Sequence, residues 1–512
     1  MTEANTINDQ QQLFGHPRGL FYLFFAELWE RFSFYGMRAL LTLYMVNEIY
    51  AAFENRDIIA TSIYAAYGAL VYATPVVGGM LADRLLGNRR AIILGGTLMA
   101  LGHFVLAIEN QVFFFGALAL IIVGNGLFKP NISSFVGSLY DQGDDRRDSG
   151  FTIFYMGINT GAFIAPLLCG WLGNEYGWHY GFGAAGVGMV IGLLVFMDGL
   201  RKGVFGDRGH APSEERLDKK VGGLRVKVWV PILAFLCVPL IGLMMFWGEL
   251  TIPFVGVVNY EGQVVDYIFW AILLVILGVI GSTLMQVSKE ERQQLIVVVL
   301  LTMLMTLFWG FYELSGSTIT LFADRNVNLV GMNAAQTNSL TALFIILFAF
   351  PFSKLWIYLS KKGKNPYTPY KFAFGLLILA AGFAIFSFSR EFADADGRVP
   401  FIFMIVGYML FATGELFMSP VGLSKVTELA PARIVSFMMG VWFLSSAFAF
   451  RLVGFVSSKL AVGGSTAEEA QGLASLDVYT EGFWNIAQVT LVGALLAFLI
   501  APIMKKWMHG VH

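Results

Sequence analysis

The stretch LFYLFFAELWERFSFYGMRALLTLYMV, residues 20–46, is the first of a series of long apolar runs in this chain. It exceeds the ~20 residues that an α-helix needs to cross a bilayer. It is also longer than the apolar core of a secretory signal, and the polar residues before it lack the basic start of a signal peptide. We therefore expect this run to remain in the protein as its first membrane-spanning helix.

Apolar runs of similar length recur to the end of the chain, with six before a polar stretch, two after it and six more in the second half. Their length and composition are typical of transmembrane helices. The sequence therefore predicts an all-α integral membrane protein with fourteen transmembrane helices. The predicted spans are residues 20–46, 58–81, 90–108, 111–136, 149–172, 179–197, 229–247, 267–285, 295–315, 336–359, 370–388, 401–423, 434–452 and 483–504.

The composition agrees with a membrane protein and excludes several other classes. Hydrophobic residues make up 57% of the 512 residues and charged residues only 13%, whereas soluble domains carry about 25% charged residues. A formal net charge of −1 provides no basic face for nucleic acid. Cys169 and Cys237 each lie in an apolar run, which excludes a disulfide framework and a Cys/His metal site.

The loops that connect the predicted helices are alternately basic and acidic or nearly neutral along the chain. Residues 199–228 contain eight Lys or Arg against four acidic residues, and the loops of the same parity are also basic. Because basic loops stay in the cytoplasm, we expect both termini there. The pattern predicts a duplicated transporter with its site at the midplane between two halves. The expected domains are a six-helix bundle at 1–198, a linker with two extra helices at 199–290, and a second six-helix bundle at 291–512.

The first helix carries a stripe of charges within its apolar run. On a helical wheel Glu30, Arg31 and Arg38 lie about 60°, 40° and 20° from Glu27, with Tyr35 about 80° away. Ionised side chains in a bilayer cost several kcal/mol, on the order of 3 or more, unless they face one another or water. One face of this helix should therefore line an internal pathway.

Three isolated charges, Lys129, Glu313 and Glu415, fall in other spans. Any single pair could merely lock two helices together, but the whole set favours a pathway. The set has one more carboxylate than cations, so one carboxylate lacks a fixed partner and could exchange a proton. A zwitterionic substrate would suit the set, with its carboxylate at Arg38 and Lys129 and its ammonium at Glu415.

The motifs around these charges identify a resemblance to a known family. The string ELWERFSFYG, residues 27–36, closely resembles the E-x-x-E-R-F-x-Y-Y-G signature of proton-dependent oligopeptide transporters. GGMLADRLLGNRR (78–90) resembles the family's loop between helices 2 and 3, and FYMGINTGAF (154–163) its fifth-helix signature. The acids of WGFYE (309–313) and GELFMSP (414–420) also match. The resemblance implies a major facilitator fold with two extra central helices, as in bacterial members.

The resemblance also implies roles for matching residues. Proton coupling is expected of Glu27, Glu30, Arg31, Lys129 and Glu313. Asp83 and Arg84 are expected to clamp the cytoplasmic gate, although a plain cap of helix 2 would also explain them. The residues expected to bind the peptide are Tyr35, Arg38, Tyr72, Lys129, Asn159, Trp309, Glu415, Ser419 and Trp442.

These observations lead to one predicted function and one alternative. We expect a proton-coupled symporter that imports di- and tripeptides by alternating access, as a monomer in a bacterial inner membrane, with no cofactor besides protons. A nitrate or drug transporter of the same superfamily is the alternative, because fold does not fix substrate. The sequence has no H-E-x-x-H and no G-x-S-x-G motif, so an enzyme is not expected. Isolated, unrepeated charges also disfavour a channel with a symmetric filter.

Overall fold

The computed structural model describes residues 12–108, 110–141, 144, 146–252, 256–261, 264–431, 434–462 and 472–511. Its helices are α1 (Arg18–Tyr44), α2 (Arg56–Leu81), α3 (Gly87–Leu106), α4 (Gln111–Ser138), α5 (Arg147–Tyr176), α6 (Trp178–Arg201), α7 (Glu214–Asp218), α8 (Val226–Met245), α9 (Val264–Leu284), α10 (Lys289–Tyr312), α11 (Thr318–Asn326), α12 (Ser339–Lys361), α13 (Thr368–Phe388), α14 (Ile402–Leu429), α15 (Val435–Lys459) and α16 (Gly472–Trp507).

Short strands pair in the loops between the helices. Three pairs are antiparallel and the fourth is parallel. They are β1 (Gln12–Leu13) with β2 (His16–Pro17), β3 (Lys220–Val221) with β4 (Leu224–Arg225), β5 (Trp247–Ile252) with β6 (Gly256–Glu261), and β7 (Val327–Asn328) with β8 (Val399–Pro400).

The described helices agree in number with the predicted spans. Eleven helical segments of the described residues are long and apolar enough to cross a membrane. One of them, Arg56–Leu106, contains both α2 and α3, which the π-helical segment Ala82–Leu86 joins. Two more are α1, which carries the stripe of charges, and α14, whose apolar part Ile402–Met418 is shorter than the other segments. With the joined segment counted twice, the described chain has the fourteen transmembrane helices that the sequence predicts.

The predicted span 295–315 is interrupted. α10 ends at Tyr312, and the chain continues as a 3-10 turn, Glu313–Gly316, before α11 begins. Serine and glycine are poor helix-interior residues. The serine side chain competes for backbone hydrogen bonds, and glycine loses the most backbone conformational entropy when it becomes helical. The sequence SGS at 315–317 therefore explains the break, which places the acid Glu313 at a helix terminus.

Several other boundaries differ from the predicted spans, and two of them change the interpretation of a segment. α16 begins at Gly472, well before residue 483, and its first turns bury Leu476, Tyr479 and Thr480. Polar residues on its other face made this amphipathic segment look like a loop. Trp247, predicted as the last residue of a helix, instead begins β5, because α8 ends at Met245.

The chain divides into two compact units. The first contains the chain up to Leu40 together with Ala73–Leu243, and the second contains Leu41–Tyr72 and the chain from Met244. In the first unit, rings from α4, α6 and the following loop pack together at Phe135, Phe196 and Phe205. An aromatic cluster in the second unit joins α13, α14 and α16. Its members include Phe383, Phe386, Phe411 and Phe483.

The second unit also contains a buried ion pair at the start of α2. Arg325 donates to both carboxylate oxygens of Asp57, with N–O distances of 2.6 and 2.7 Å. The same guanidinium donates to the Tyr479 hydroxyl at 2.7 Å, and the Val462 amide donates to Asp57 at 3.3 Å. This network joins α2, α11 and α16, so it fixes elements that are far apart in sequence.

Replacing Asp57 by Asn is expected to lower the stability of the detergent-solubilised protein by about 3 kcal/mol or more, because the buried Arg325 charge would lose its counterion. Thermal unfolding followed by intrinsic fluorescence would measure the loss. Asp477→Asn, which removes the exposed pair with Arg390, is the matched control and should cost about 1 kcal/mol or less. An equal loss of thermal stability in Asp57→Asn and Asp477→Asn would contradict the prediction.

His103 is a fully buried histidine in α3. Neither ring nitrogen has a hydrogen-bond partner among the described residues. A buried polar group without a partner lowers stability because it has lost its hydration without compensation. This site therefore weakens the first unit rather than supporting it.

His103→Leu is expected to stabilise the protein by about 1–3 kcal/mol, because the substitution removes unsatisfied nitrogen atoms and fills a similar volume. The midpoint of thermal unfolding in detergent should rise. His179→Leu changes an exposed histidine at the start of α6 and should leave the midpoint nearly unchanged. A lower midpoint for His103→Leu would mean that the imidazole makes a stabilising interaction in the folded protein.

Candidate functional site

The charged stripe of α1 is buried inside the first unit. Glu27 and Glu30 are fully buried, Arg31 is 4% exposed and Arg38 is 7% exposed. Arg31 donates one hydrogen bond to each carboxylate oxygen of Glu30, and its Nε lies 3.5 Å from Glu27 Oε1. A bidentate pair of this kind orients the guanidinium as well as neutralising it.

Lys129 reaches the same cluster from α4. Its Nζ donates to Glu27 Oε1 at 2.9 Å, and the lysine side chain is 30% exposed. Glu27 Oε2 is buried and has no hydrogen-bond partner among the described residues. Glu27 therefore contacts two cations through the same oxygen atom, Oε1.

α5 packs closely on the charged part of α1. A methyl group at Gly161 would lie 2.3 Å from the Leu28 carbonyl oxygen and 3.1 Å from Arg31 Cβ. Only glycine permits that approach, which gives the fifth-helix string a physical reason. Two residues earlier, the Asn159 amide nitrogen donates to the Tyr155 carbonyl oxygen at 3.0 Å.

Tyr35 lies between two cations of α1. Its ring centroid is 6.0 Å from the Arg31 guanidinium carbon and 5.7 Å from that of Arg38. Both distances are within the range of cation–π attraction. The ring thus helps to position Arg38, the predicted ligand of a peptide carboxylate.

The second unit places an acid beside two aromatic residues of α10. Glu415, on α14, is 7% exposed, and the Tyr312 hydroxyl donates to its Oε2. The Trp309 ring packs edge-on against Tyr312 with centroids 4.9 Å apart. Tyr312 was not predicted from the sequence, although it is three residues after Trp309 and so lies on the same helical face.

Glu313 is 4% exposed and occupies the 3-10 turn that follows α10. Its backbone carbonyl accepts a hydrogen bond from the Tyr64 hydroxyl of α2 at 3.4 Å. Tyr64 was also not predicted. The contact ties the break in the α10–α11 segment to the part of α2 that belongs to the second unit.

The remaining predicted peptide ligands lie in separate parts of the second unit. Tyr72 stacks on Phe450 with ring centroids 5.5 Å apart and planes inclined by 24°. Trp442 packs over Gly422, where a methyl group would lie 2.1 Å from the indole ring. Ser419 is on α14, but its side chain lies outside the described part of the structure.

Asp83 and Arg84 both lie in the π-helical segment Ala82–Leu86 and are exposed. Neither makes a hydrogen bond or an ion pair with another described residue. The structure thus places them at a helix junction without showing a clamp, and their role at a gate stays a prediction.

The two units carry opposite net charges at the predicted positions. In the first, Glu27 and Glu30 pair with Arg31 and Lys129, and the buried Arg38 adds a third cation to the predicted positions. In the second, the charged residues at the predicted positions are the two buried acids Glu313 and Glu415. An ammonium would be attracted to the second set and a carboxylate to the first.

Comparison with known proteins identifies the family. Residues 89–471 match the sequence profile of the POT family. The chain belongs to the POT family. It is 36% identical over 528 residues to the peptide transporter YePEPT of Yersinia enterocolitica, with 98% of each sequence covered. It is 35% identical over 460 residues to a di-/tripeptide transporter of Lactococcus lactis, covering 86% of this chain and 89% of the relative.

The comparison with solved structures agrees with membership of the POT family. A crystal structure of a mutant peptide transporter POT in complex with alafosfalin matches this chain with a TM-score of 0.79 and 36% identity, covering 98% of both chains. POT membership confirms the predicted fold class, an all-α integral membrane protein of the major facilitator type. Proteins of the POT family are transporters, which confirms that the chain is not an enzyme.

Proposed function

We propose that this chain is a proton-coupled symporter that imports di- and tripeptides by alternating access. The observation that carries the proposal is the geometry of Glu27, which is buried, binds Lys129 and Arg31 through Oε1, and has no partner for Oε2 among the described residues. A carboxylate in that position can take up a proton and, in doing so, change which charges are paired.

Protonation of Glu27 would weaken its ion pair with Lys129. Lys129 is partly exposed and has Glu27 as its ion-pair partner among the described residues. Once released, its ammonium could bind the carboxylate of a peptide. Glu30 and Glu313 share the proton-coupling role in this proposal, and re-pairing of Arg31 and Lys129 would let the two halves of the transporter rearrange.

The substrate class follows from the charges and from the relatives. A short peptide at neutral pH has an ammonium and a carboxylate at its ends. Arg38 and Lys129 would take the carboxylate, and Glu415 the ammonium. The names of the Yersinia and Lactococcus relatives, a peptide transporter and a di-/tripeptide transporter, support this assignment. Further contacts would come from Tyr35, Tyr72, Asn159, Trp309, Ser419 and Trp442.

The setting is also part of the proposal. The chain would work as a monomer in a bacterial inner membrane, with both termini in the cytoplasm, because the basic loops of one parity favour that side. Its domains would be those predicted, at 1–198, 199–290 and 291–512. Asp83 and Arg84 would then lie at the cytoplasmic end of α2, where a gate is expected.

Uptake of labelled dialanine into proteoliposomes, with and without an inward proton gradient, tests the function. Accumulation above the external concentration that requires the gradient would support a coupled carrier. Uptake that only equilibrates would contradict coupling. If no di- or tripeptide enters although the protein is folded, nitrate and drug-like molecules become the substrates to try.

A further inference from the structure

α8 lies apart from the rest of the first unit over most of its length. Near its C-terminal end Gly242 approaches the Phe115 carbonyl oxygen of α4, since a methyl group there would lie 3.4 Å from it. Toward the N-terminal end a cavity of about 450 Å³ separates α8 from α2 and α4. We call this cavity the α8 groove. Residues that line it include Val77, Leu81, Leu127, Val230, Leu233 and Cys237.

The α8 groove is lined almost wholly by apolar side chains. Thr74 is its one hydroxyl residue, and that hydroxyl already donates to the Ile122 carbonyl oxygen at 3.1 Å. The floor is the contact of α2 with α4, where a methyl group at Gly78 would lie 1.9 Å from the Gly126 carbonyl oxygen. Water needs two to four polar partners to occupy a cavity. Within a bilayer the groove must therefore hold hydrocarbon.

One end of the groove lies at the edge of the apolar layer. Leu85, Val226 and Trp229 line that end, and the Trp229 indole nitrogen donates to the Val221 carbonyl oxygen at 2.7 Å. Tryptophan is enriched where a membrane meets water. This end therefore opens toward the head groups of the leaflet next to the basic linker.

Basic residues surround the same end. Lys227 and Arg225 both approach Asp218, at 2.8 and 3.5 Å, and the hydrogen bond from Lys227 lowers the pKa of Asp218. Lys220 is exposed and makes no ion pair with a described residue, and Arg84 adjoins the lining residue Leu85. Residues 199–228 contain eight Lys or Arg against four acids, and this excess of positive charge favours an anionic head group.

We propose that the α8 groove binds an anionic phospholipid of the cytoplasmic leaflet. One acyl chain would occupy the apolar cavity, and the phosphate would lie against Lys220 and Lys227. The assignment of the leaflet rests on the orientation proposed above. A bound chain would fill the space between α8 and the α2–α4 contact, so the lipid would act as part of the packing that holds the extra helix in place.

Quenching of Trp229 fluorescence by brominated lipids tests this proposal in proteoliposomes without any peptide. The Trp229 signal is the difference between the unsubstituted protein and Trp229→Phe. Brominated phosphatidylglycerol should quench it at a mole fraction at least about fivefold lower than brominated phosphatidylcholine does. In Lys220→Gln/Lys227→Gln the two lipids should become equivalent, whereas the matched Lys361→Gln/Lys364→Gln, in another loop, should keep the preference.

Two results would overturn the proposal. Equal quenching by both lipids in the unsubstituted protein would mean that the groove does not select anionic lipid. Absence of quenching by either lipid would mean that another segment of the chain fills the groove. A filling variant gives a further check, because Ala234→Phe on the groove face should reduce quenching and Leu236→Phe, on an exposed face of α8, should not. Since no transport is measured, failure here is separate from failure of the proposed function.

Discussion

Glu27→Gln is expected to reduce gradient-driven accumulation of dialanine by ~100-fold or more, because accumulation depends on a proton carried by a buried acid of the transport pathway. Glutamine cannot take up a proton, and it resembles the protonated acid at all times. Lys129 and Arg31 would then have no counter-charge at the position of Glu27 Oε1. The variant should lose accumulation but keep exchange of labelled for unlabelled peptide, since exchange needs no net proton movement.

The two assays together separate a coupling defect from a folding defect. Uptake driven by an inward proton gradient and counterflow at equal pH should be measured on the same proteoliposomes. Glu175→Gln removes an exposed acid from the end of α5 and should leave both rates unchanged. Accumulation by Glu27→Gln at the level of the unsubstituted protein would remove Glu27 from the mechanism, and loss of both activities would indicate that its role is structural.

The sequence predicted the helices and the charged cluster because both leave strong signals in an apolar chain. Lys129 is the single charge of its apolar run, and Glu27 belongs to a stripe of charges within another. Counting charges also indicated that one carboxylate lacks a fixed partner. The sequence could not say which atom this concerns, since that depends on how α1 and α4 approach each other. The structure shows that Glu27 pairs with Lys129 and Arg31 through Oε1, whereas its Oε2 has no hydrogen-bond partner among the described residues.

Other site residues gave no signal of this kind. Tyr312 and Tyr64 lie in apolar runs, where a tyrosine cannot be distinguished from an aromatic residue that faces lipid. Their hydroxyl partners, Glu415 and the Glu313 backbone, come from helices distant in sequence. Asp57 and Arg325 were also missed, because both lie outside the predicted spans, where charged residues are ordinary. Pairing across long sequence separations was thus the part that the sequence could not supply.

Glu415→Gln is expected to raise the half-saturating concentration of dialanine by ~10–100-fold, because a hydrogen bond to a charged group contributes about 1.5–3 kcal/mol. The affected group should be the peptide ammonium. N-acetylation of dialanine removes that charge from the substrate, so it should weaken transport by the unsubstituted protein to a similar extent. In Glu415→Gln, acetylation should cause little further loss.

The comparison of two proteins with two peptides is what makes this result specific to the ammonium. If the Glu415 carboxylate binds the peptide ammonium, Glu415→Gln and N-acetylation together weaken transport by less than the sum of their separate effects. Tyr312→Phe keeps the carboxylate and removes only the hydroxyl that donates to it, so it should preserve most of the discrimination between free and acetylated peptide. If Glu415→Gln still discriminated against the acetylated peptide as strongly as the unsubstituted protein, the ammonium would have to bind elsewhere, with Glu313 as the remaining buried acid among the predicted residues of its unit.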